Sequence, residues 1–214
     1  MRKLALLTFA LTLLILAVPI AVSLADVSVG VKKGDWIQYQ VAVTGNPPGD
    51  HNIRSAGMNV TNVQDTAISL DIQTEFVNGT ILSEHITLDL VTGVLGDDFF
   101  IPKNLNVGDK FYDSSQGNIT ITNVEQRTAA GTQRTVVSAS TDFTTYYWDR
   151  ETGILVAATS HEPDYIMETE ANATNIWQPQ NLGSEPTLVY TVIVTLVIVL
   201  AVIVTLFVRN KRKK

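Results

Sequence analysis

The chain has 214 residues, no cysteine and a net charge of −6. The absence of cysteine excludes thiol chemistry, cysteine-ligated zinc, a disulfide framework and lipidation at an N-terminal cysteine. The segment 26–186 holds all 21 acidic residues but only 8 of the 15 basic ones, so it is 13 charges negative and unsuited to nucleic acid.

Met1-Arg2-Lys3, an apolar run from Leu4 to Val18, Pro19 and then Ser23-Leu24-Ala25 form a charged start, an apolar middle and a small-residue cleavage site. This pattern predicts a signal peptide over 1–25, cut after Ala25. An uncleaved anchor is the alternative, because Leu4 to Leu24 carries no charge. Pro19 favours cleavage, since it would interrupt a spanning helix.

Beyond Ala25 the dominant pattern is period-two alternation punctuated by turns, over a length sufficient for one self-supporting core. Strands are predicted at Trp36 to Val43, Met58 to Val63 and Ala67 to Val77, with Gly45 to Asp50 as a loop. Asn78-Gly79 then predicts a tight hairpin turn into Thr80 to Leu90. Ile68, Leu70, Ile72 and Phe76 share one face of this hairpin with Leu82, Ile86, Leu88 and Leu90. Further strands are expected at Val94 to Ile101, Asn118 to Gln126, Arg134 to Ser140, Phe143 to Asp149, Ile154 to Ser160 and Tyr165 to Thr174. The expected fold of 26–176 is all-β: one antiparallel sheet system, curved as a half-barrel or closed as a sandwich.

Trp177 to Pro186 reads as a stalk, and Thr187 to Val208 as a transmembrane helix. At about 1.5 Å per residue, 187–208 spans roughly 33 Å, enough to cross a bilayer. Arg209, Lys211, Arg212, Lys213 and Lys214 follow at once and mark a basic cytoplasmic tip, 209–214. The expected location is the cell membrane, single-pass, with the β domain extracellular and the C-terminus cytoplasmic.

Two internal echoes stand out. Gly34-Asp35-Trp36 and Gly108-Asp109-Lys110 each open an aromatic-rich strand. Asp89-Leu90-Val91-Thr92-Gly93-Val94-Leu95 is matched by Asp149-Arg150-Glu151-Thr152-Gly153-Ile154-Leu155. In each copy of the second motif Asp can accept from backbone N–H groups ahead of it and Gly can turn left-handed, so the chain reverses.

With Phe99-Phe100-Ile101-Pro102 and Tyr146-Tyr147-Trp148-Asp149, these motifs resemble archaeal exported or membrane-anchored proteins of uncharacterised function. The strand-Asp-x-x-Thr-Gly-strand pattern is also similar to bacterial lipoprotein carriers of the LolA-like half-barrel class. That resemblance implies a curved antiparallel sheet that holds acyl chains.

No motif specifies a reaction. His51, His85 and His161 lack metal-ligand spacing, and no nucleophile elbow, phosphate loop or dinucleotide fingerprint occurs. Asp97, Asp98, Asp109 and Asp113 are the candidates for oxygen ligands to Ca²⁺, without the alternating spacing of an EF-hand. Asn59, Asn78, Asn118 and Asn172 head Asn-x-Ser/Thr sequons, candidate glycosylation sites in an exported domain. Neighbouring aromatics, Phe99-Phe100 and Tyr146-Tyr147-Trp148, must split between opposite sheet faces.

The expectation is a non-catalytic binding or structural module of the cell envelope, without cofactor, facing a protein, glycan or lipid ligand. A half-barrel for lipid or another apolar ligand is the alternative, and a Ca²⁺-dependent module or an enzyme the third reading.

Overall fold

The alternation is realised as eleven strands in a computed structural model that describes residues 27–178. The predicted leader, transmembrane helix and basic tip lie outside these residues. Among the described residues no helix is long and apolar enough to cross a membrane.

In chain order the strands are β1 (Trp36–Gly45), β2 (Ile53–Gln64), β3 (Ala67–Phe76), β4 (Ile81–Asp89), β5 (Lys110–Asp113) and β6 (Gly117–Thr120). They continue as β7 (Asn123–Ala129), β8 (Thr132–Ser140), β9 (Thr144–Asp149), β10 (Leu155–His161) and β11 (Tyr165–Thr174). Nine form one antiparallel sheet in the order β4-β3-β2-β1-β11-β10-β9-β8-β7, and β5 and β6 form a separate hairpin.

One face of the large sheet is apolar. Ile37 and Tyr39 on β1, Met58 and Val60 on β2, Ile68 and Leu70 on β3, and Trp148 on β9 are all buried there. The connection 90–122 packs over this face as a plug, burying Leu95, Phe100, Ile101, Leu105 and Phe111. Each such side chain contributes about 1.5–3 kcal/mol of apolar burial. Two hydrogen bonds orient the large polar-tipped rings: Trp148 Nε1 donates to the Asp98 carbonyl (2.7 Å), and Tyr39 donates to the Leu155 carbonyl (2.8 Å).

At the β7 edge the sheet curls back on itself. The Ala130 N–H donates to the Ala171 carbonyl (3.0 Å), meeting β11 where β10 no longer covers it. Inside this curl the Arg127 guanidinium lies 4.4 Å over the Tyr147 ring and bonds Glu170 at 3.2 Å. Trp177, read from the sequence as the first stalk residue, is instead buried here; its Nε1 donates to the Ala129 carbonyl and Arg134 covers its ring.

Three expectations are corrected. Val94 to Ile101 is not a strand, because Gly96, Asp97 and Asp98 all take positive φ (51°, 49° and 57°) and coil the chain. Only isolated bridges at Val94 and Phe100 remain of it. The strand expected over Asn118 to Gln126 is broken into β6 and β7, since Ile121 pairs through both its N–H and its carbonyl with the Gly108-Asp109 turn. The Asn78-Gly79 turn is a three-residue loop, with Gly79 N–H donating to Phe76 O (2.9 Å) and only Gly79 at positive φ (84°). That odd loop length pairs Ile68 with Leu88 and Leu70 with Ile86, placing apolar residues opposite one another. A two-residue turn would have slipped the register by one and set them against polar neighbours.

The two sequence echoes are one frame used twice. Lys32 N–H donates to Asp35 Oδ2 (2.9 Å) and Asn106 N–H to Asp109 Oδ2 (2.8 Å). Gly34 and Gly108 both sit at φ 89° and donate to the carbonyls of Val60 and Ile121 respectively. Asp35 and Asp109 accept in return from the N–H groups of those same two residues. At the second motif, Asp89 N–H donates to Val94 O and Asp149 N–H to Ile154 O, both at 2.9 Å. Gly93 and Gly153 close the turns onto Asp89 O and Asp149 O. Thus β1 to β4 correspond in order to β5, β6 with β7, β8, and β9. The copies differ in hairpin length: β3–β4 runs from Asp89 to Ile81, whereas its counterpart β8–β9 pairs only from Asp149 to Thr145.

These turns gather at one end of the sheet, here called the framed end. The turns at 46–52, 77–80, 141–143 and 162–164 form the opposite end.

Gly153 and Gly79 both need positive φ, but a Cβ at Gly153 would collide with the Ile101 carbonyl oxygen, whereas one at Gly79 meets nothing. Chemical denaturation should therefore find Gly79→Ala weaker by about 1 kcal/mol and Gly153→Ala by roughly 3 kcal/mol or more. Equal losses would show that the plug does not press on Gly153.

Candidate functional site

The polar face of β1–β4 carries two adjacent rows of side chains, set by register alone. Trp36 lies opposite Asn59, Asn59 opposite Asp71, and Asp71 opposite His85. Two residues along, the row reads Gln38, Gly57, Gln73, Ser83. Because Gly57 has no side chain, the second row is open at its centre, and the surface dips into a groove of about 790 Å³. His85 Nδ1 and Asp71 Oδ1 are 2.7 Å apart, both about 60% exposed, so this pair is wet and weak. Flanking rows continue the polar character: Ser69 and Thr87 hydroxyls meet at 3.1 Å, and Ser55 donates to Glu75 at 3.2 Å.

Chemically the groove offers amide groups that donate and accept, a carboxylate, an imidazole and one indole. These groups can hold a ligand by many directional hydrogen bonds.

A second cleft, of about 340 Å³, opens at the framed end around Arg134, Arg150, Glu151, Gln126 and Asn104. Arg134 is already committed. Its Nε and Nη2 reach both oxygens of buried Asp149 (2.7 and 3.2 Å), and Nη2 also bonds Glu151 at 2.8 Å. The Asp149 hydrogen bond is the chief reason its pKa is raised further. Arg150 donates to the Leu105 carbonyl and to Asn106, tying the plug to the sheet. This cleft is occupied by structural bonds.

The fold brings Asp98 and Asp113 together and sets Asp109 apart. Asp109 serves its Gly-Asp turn and Asp97 is exposed. Asp98 and Asp113 are buried and close enough to repel one another. Asp113 Oδ1 accepts from Ser115 and from the Gln116 N–H, while Asp98 Oδ2 accepts from the Gln116 side chain at 2.9 Å. Asp98 Oδ1 has no hydrogen-bond partner, so its ionisation is penalised by burial first and by Asp113 second, which pushes its pKa up to about 6. Among the described residues no group of three or more His, Asp or Glu is placed to hold a metal ion.

The four sequon asparagines are all exposed. Asn78 Oδ1 accepts the Thr80 N–H at 2.9 Å within its turn, and Asn59 stands in the groove. His51 meets the Tyr165 hydroxyl at the opposite end, far from His85 in the sheet order. Sequence reading placed His85 and Ser83 on a polar strand face but not beside Trp36 and Asn59. The missing signal was the register across four strands.

No protein family and no curated protein matches the chain. Among solved structures it is similar to the siderocalin Ex-FABP, described as functioning through dual ligand specificities. That likeness covers 66% of this chain and 73% of that one, at 13% identity and a TM-score of 0.26, and carries no argument for ligand or mechanism.

Asp98 also generates a pH prediction. Its pKa is raised from 3.8 to about 6, so the folded state holds the proton more tightly than the unfolded chain. The stability this adds is full below the unfolded value and is lost as pH rises through about 6. Denaturation of wild type should lose roughly 1 kcal/mol from this group between pH 5 and pH 7.5, and Asp98→Asn should remove that part of the slope. Parallel slopes for the two proteins would show that Asp98 ionises freely when folded.

Proposed function

We propose that the protein is a non-catalytic, membrane-anchored binding module whose ligand is a glycan held in the groove across β1–β4. The observation that carries this reading is the pair of rows Trp36-Asn59-Asp71-His85 and Gln38-Gly57-Gln73-Ser83 around one depression. Sugar hydroxyls both donate and accept, which matches amide, carboxylate and imidazole side chains, and an indole provides an apolar face for a sugar ring. The anchor is the uncharged run Thr187 to Val208, followed by its basic tip.

Glycan-array binding of the full chain in detergent, followed by calorimetry on the hits, tests the reading. Asp71→Ala and Gln73→Ala are exposed changes that leave the core intact, and each should weaken binding about tenfold, as expected for loss of a charged or multiple hydrogen bond. No glycan retained, or retention indifferent to both changes, would sink it.

A second reading rests on a different face. Towards the opposite end the apolar side of the sheet outruns the plug: Val41, Val43, Phe76 and Met167 are only half-buried and Leu82 is 45% exposed. This strip is where an apolar ligand would lie in the half-barrel alternative. Mass spectrometry of gently purified protein should then find co-purifying lipid, and its absence removes the reading.

A further inference from the structure

We propose that the outer edge of β4 is a self-association site, at which two copies of the chain pair β4 against β4, antiparallel, about a two-fold axis at His85. The pairing does not depend on the glycan reading, but it sets two of the grooves described above side by side.

The large sheet ends in β7 and β4. β7 curls onto β11, where Ala130 N–H reaches the Ala171 carbonyl and Arg127 reaches Glu170. β4 has no strand beyond it among the described residues, only the bridge from Asp89 to Val94. Its ladder with β3 shows which backbone groups are unused. Phe76 N–H donates to the Thr80 carbonyl, so bonds to β3 recur at every second residue of β4: Leu82, Glu84, Ile86 and Leu88. The N–H and carbonyl groups of Ile81, Ser83, His85 and Thr87 therefore point outward, on the side where Asp89 N–H meets Val94 O. Such a row is a template for a further strand.

The repeated frame shows what fits there. β9, the counterpart of β4, carries β10 antiparallel on the same edge, from Leu155 opposite Trp148 to Ser160 opposite Thr144. In the first copy of the frame the chain leaves that path after Val94, because Leu95 is buried and Gly96, Asp97 and Asp98 coil. The slot is left open beside Ile81 (59% exposed) and Leu82 (45%).

β4 fits itself in one register. With His85 on the dyad, Ser83 of each copy pairs with Thr87 of the other, and Leu82 lies against Leu88 as Leu155 lies against Trp148. Ile81 then ends at Val94 of the other copy, itself 49% exposed, so two uncovered apolar side chains cover one another. Glu84, on the apolar side of the strand, selects this register. A dyad at Glu84 would set two carboxylates directly opposite, which is destabilising. A dyad at Ile86 would drive Ser83 of each copy into the place Val94 holds opposite Asp89. One strand edge is a small interface, so the association is of the transient class and is best trapped covalently.

The chain has no cysteine, so single introduced cysteines report the register. The test uses the full chain in mild detergent, at less than one chain per micelle and about 0.15 M salt, where repulsion between acidic copies is screened beyond about 8 Å. Under a mild oxidant His85→Cys should give a covalent dimer, since directly opposed Cα atoms lie about 5.5 Å apart. Ser83→Cys or Thr87→Cys alone should give roughly fivefold less, because each is about 14 Å from its own copy, but the two variants mixed should link. Adding His85→Pro to both members of that mixture removes an outward N–H and no bond to β3, and should cut the yield about tenfold with thermal unfolding little changed. Equal linking at all three single positions, or none at His85, overturns the proposal. A chain that pairs in this register but retains no glycan leaves the pairing standing and removes the glycan reading alone.

Discussion

The buried carboxylate of Asp149 is the interaction on which the framed end depends. It accepts from the Thr152 N–H and hydroxyl at 2.9 and 2.8 Å and from Arg134 at both oxygens. Those bonds fix the turn that presents Gly153 to the plug. Ile101 N–H then donates to Gly153 O, Leu155 N–H to Phe99 O and Asn104 N–H to Arg150 O. Without a rigid turn here the plug would have no edge to pair with, and the apolar face beneath it would be open to water. The counterpart Asp89 sits in a more exposed turn, where the Val91 N–H, ahead of the Thr66 hydroxyl, lowers its pKa. The same turn therefore clamps tightly in one copy and loosely in the other.

Much of this frame was legible in the sequence because it is local. The Asp-x-x-Thr-Gly bonds span three to five residues and the Gly-Asp side-chain bonds three, so the residue types imply that geometry; the pairing of the Gly-Asp turns with Val60 and Ile121 is long-range and was not legible. The hairpin faces were legible too, since alternation decides which side of β3 and β4 is apolar. What alternation also implies, an odd number of residues in the turn, was masked by the preference of Asn-Gly for two-residue turns. The aromatic neighbours divided as sheet geometry requires: Trp148 is fully buried under the plug while Tyr147 faces Arg127 on the other side.

The illegible parts are all long-range. Val94 to Ile101 has the apolar content of a strand, but three successive left-handed residues follow from its place over the sheet and not from local preference, since Asp tolerates that conformation only at a cost. The closure of β7 on β11 needs the β7–β8 turn, after Ala129, to lie farther beyond Ile121 than the β2–β3 turn, after Gln64, lies beyond Val60. The groove needs three registers to agree before Trp36, Asn59, Asp71 and His85 become neighbours. No one of those residues is unusual in its own strand.

The frame also separates what must stay constant in this fold from what need not. All the Gly-Asp and Asp-x-x-Thr-Gly turns are at one end, and the four connections at 46–52, 77–80, 141–143 and 162–164 hang from the other, held mainly by the ladder beneath them. Chain length can change at those tips without disturbing a single framing bond, as the unequal hairpins of the two copies already demonstrate. The architecture is in that sense a fixed frame with interchangeable fingers, able to acquire new surfaces at the opposite end by insertion while the frame itself is preserved.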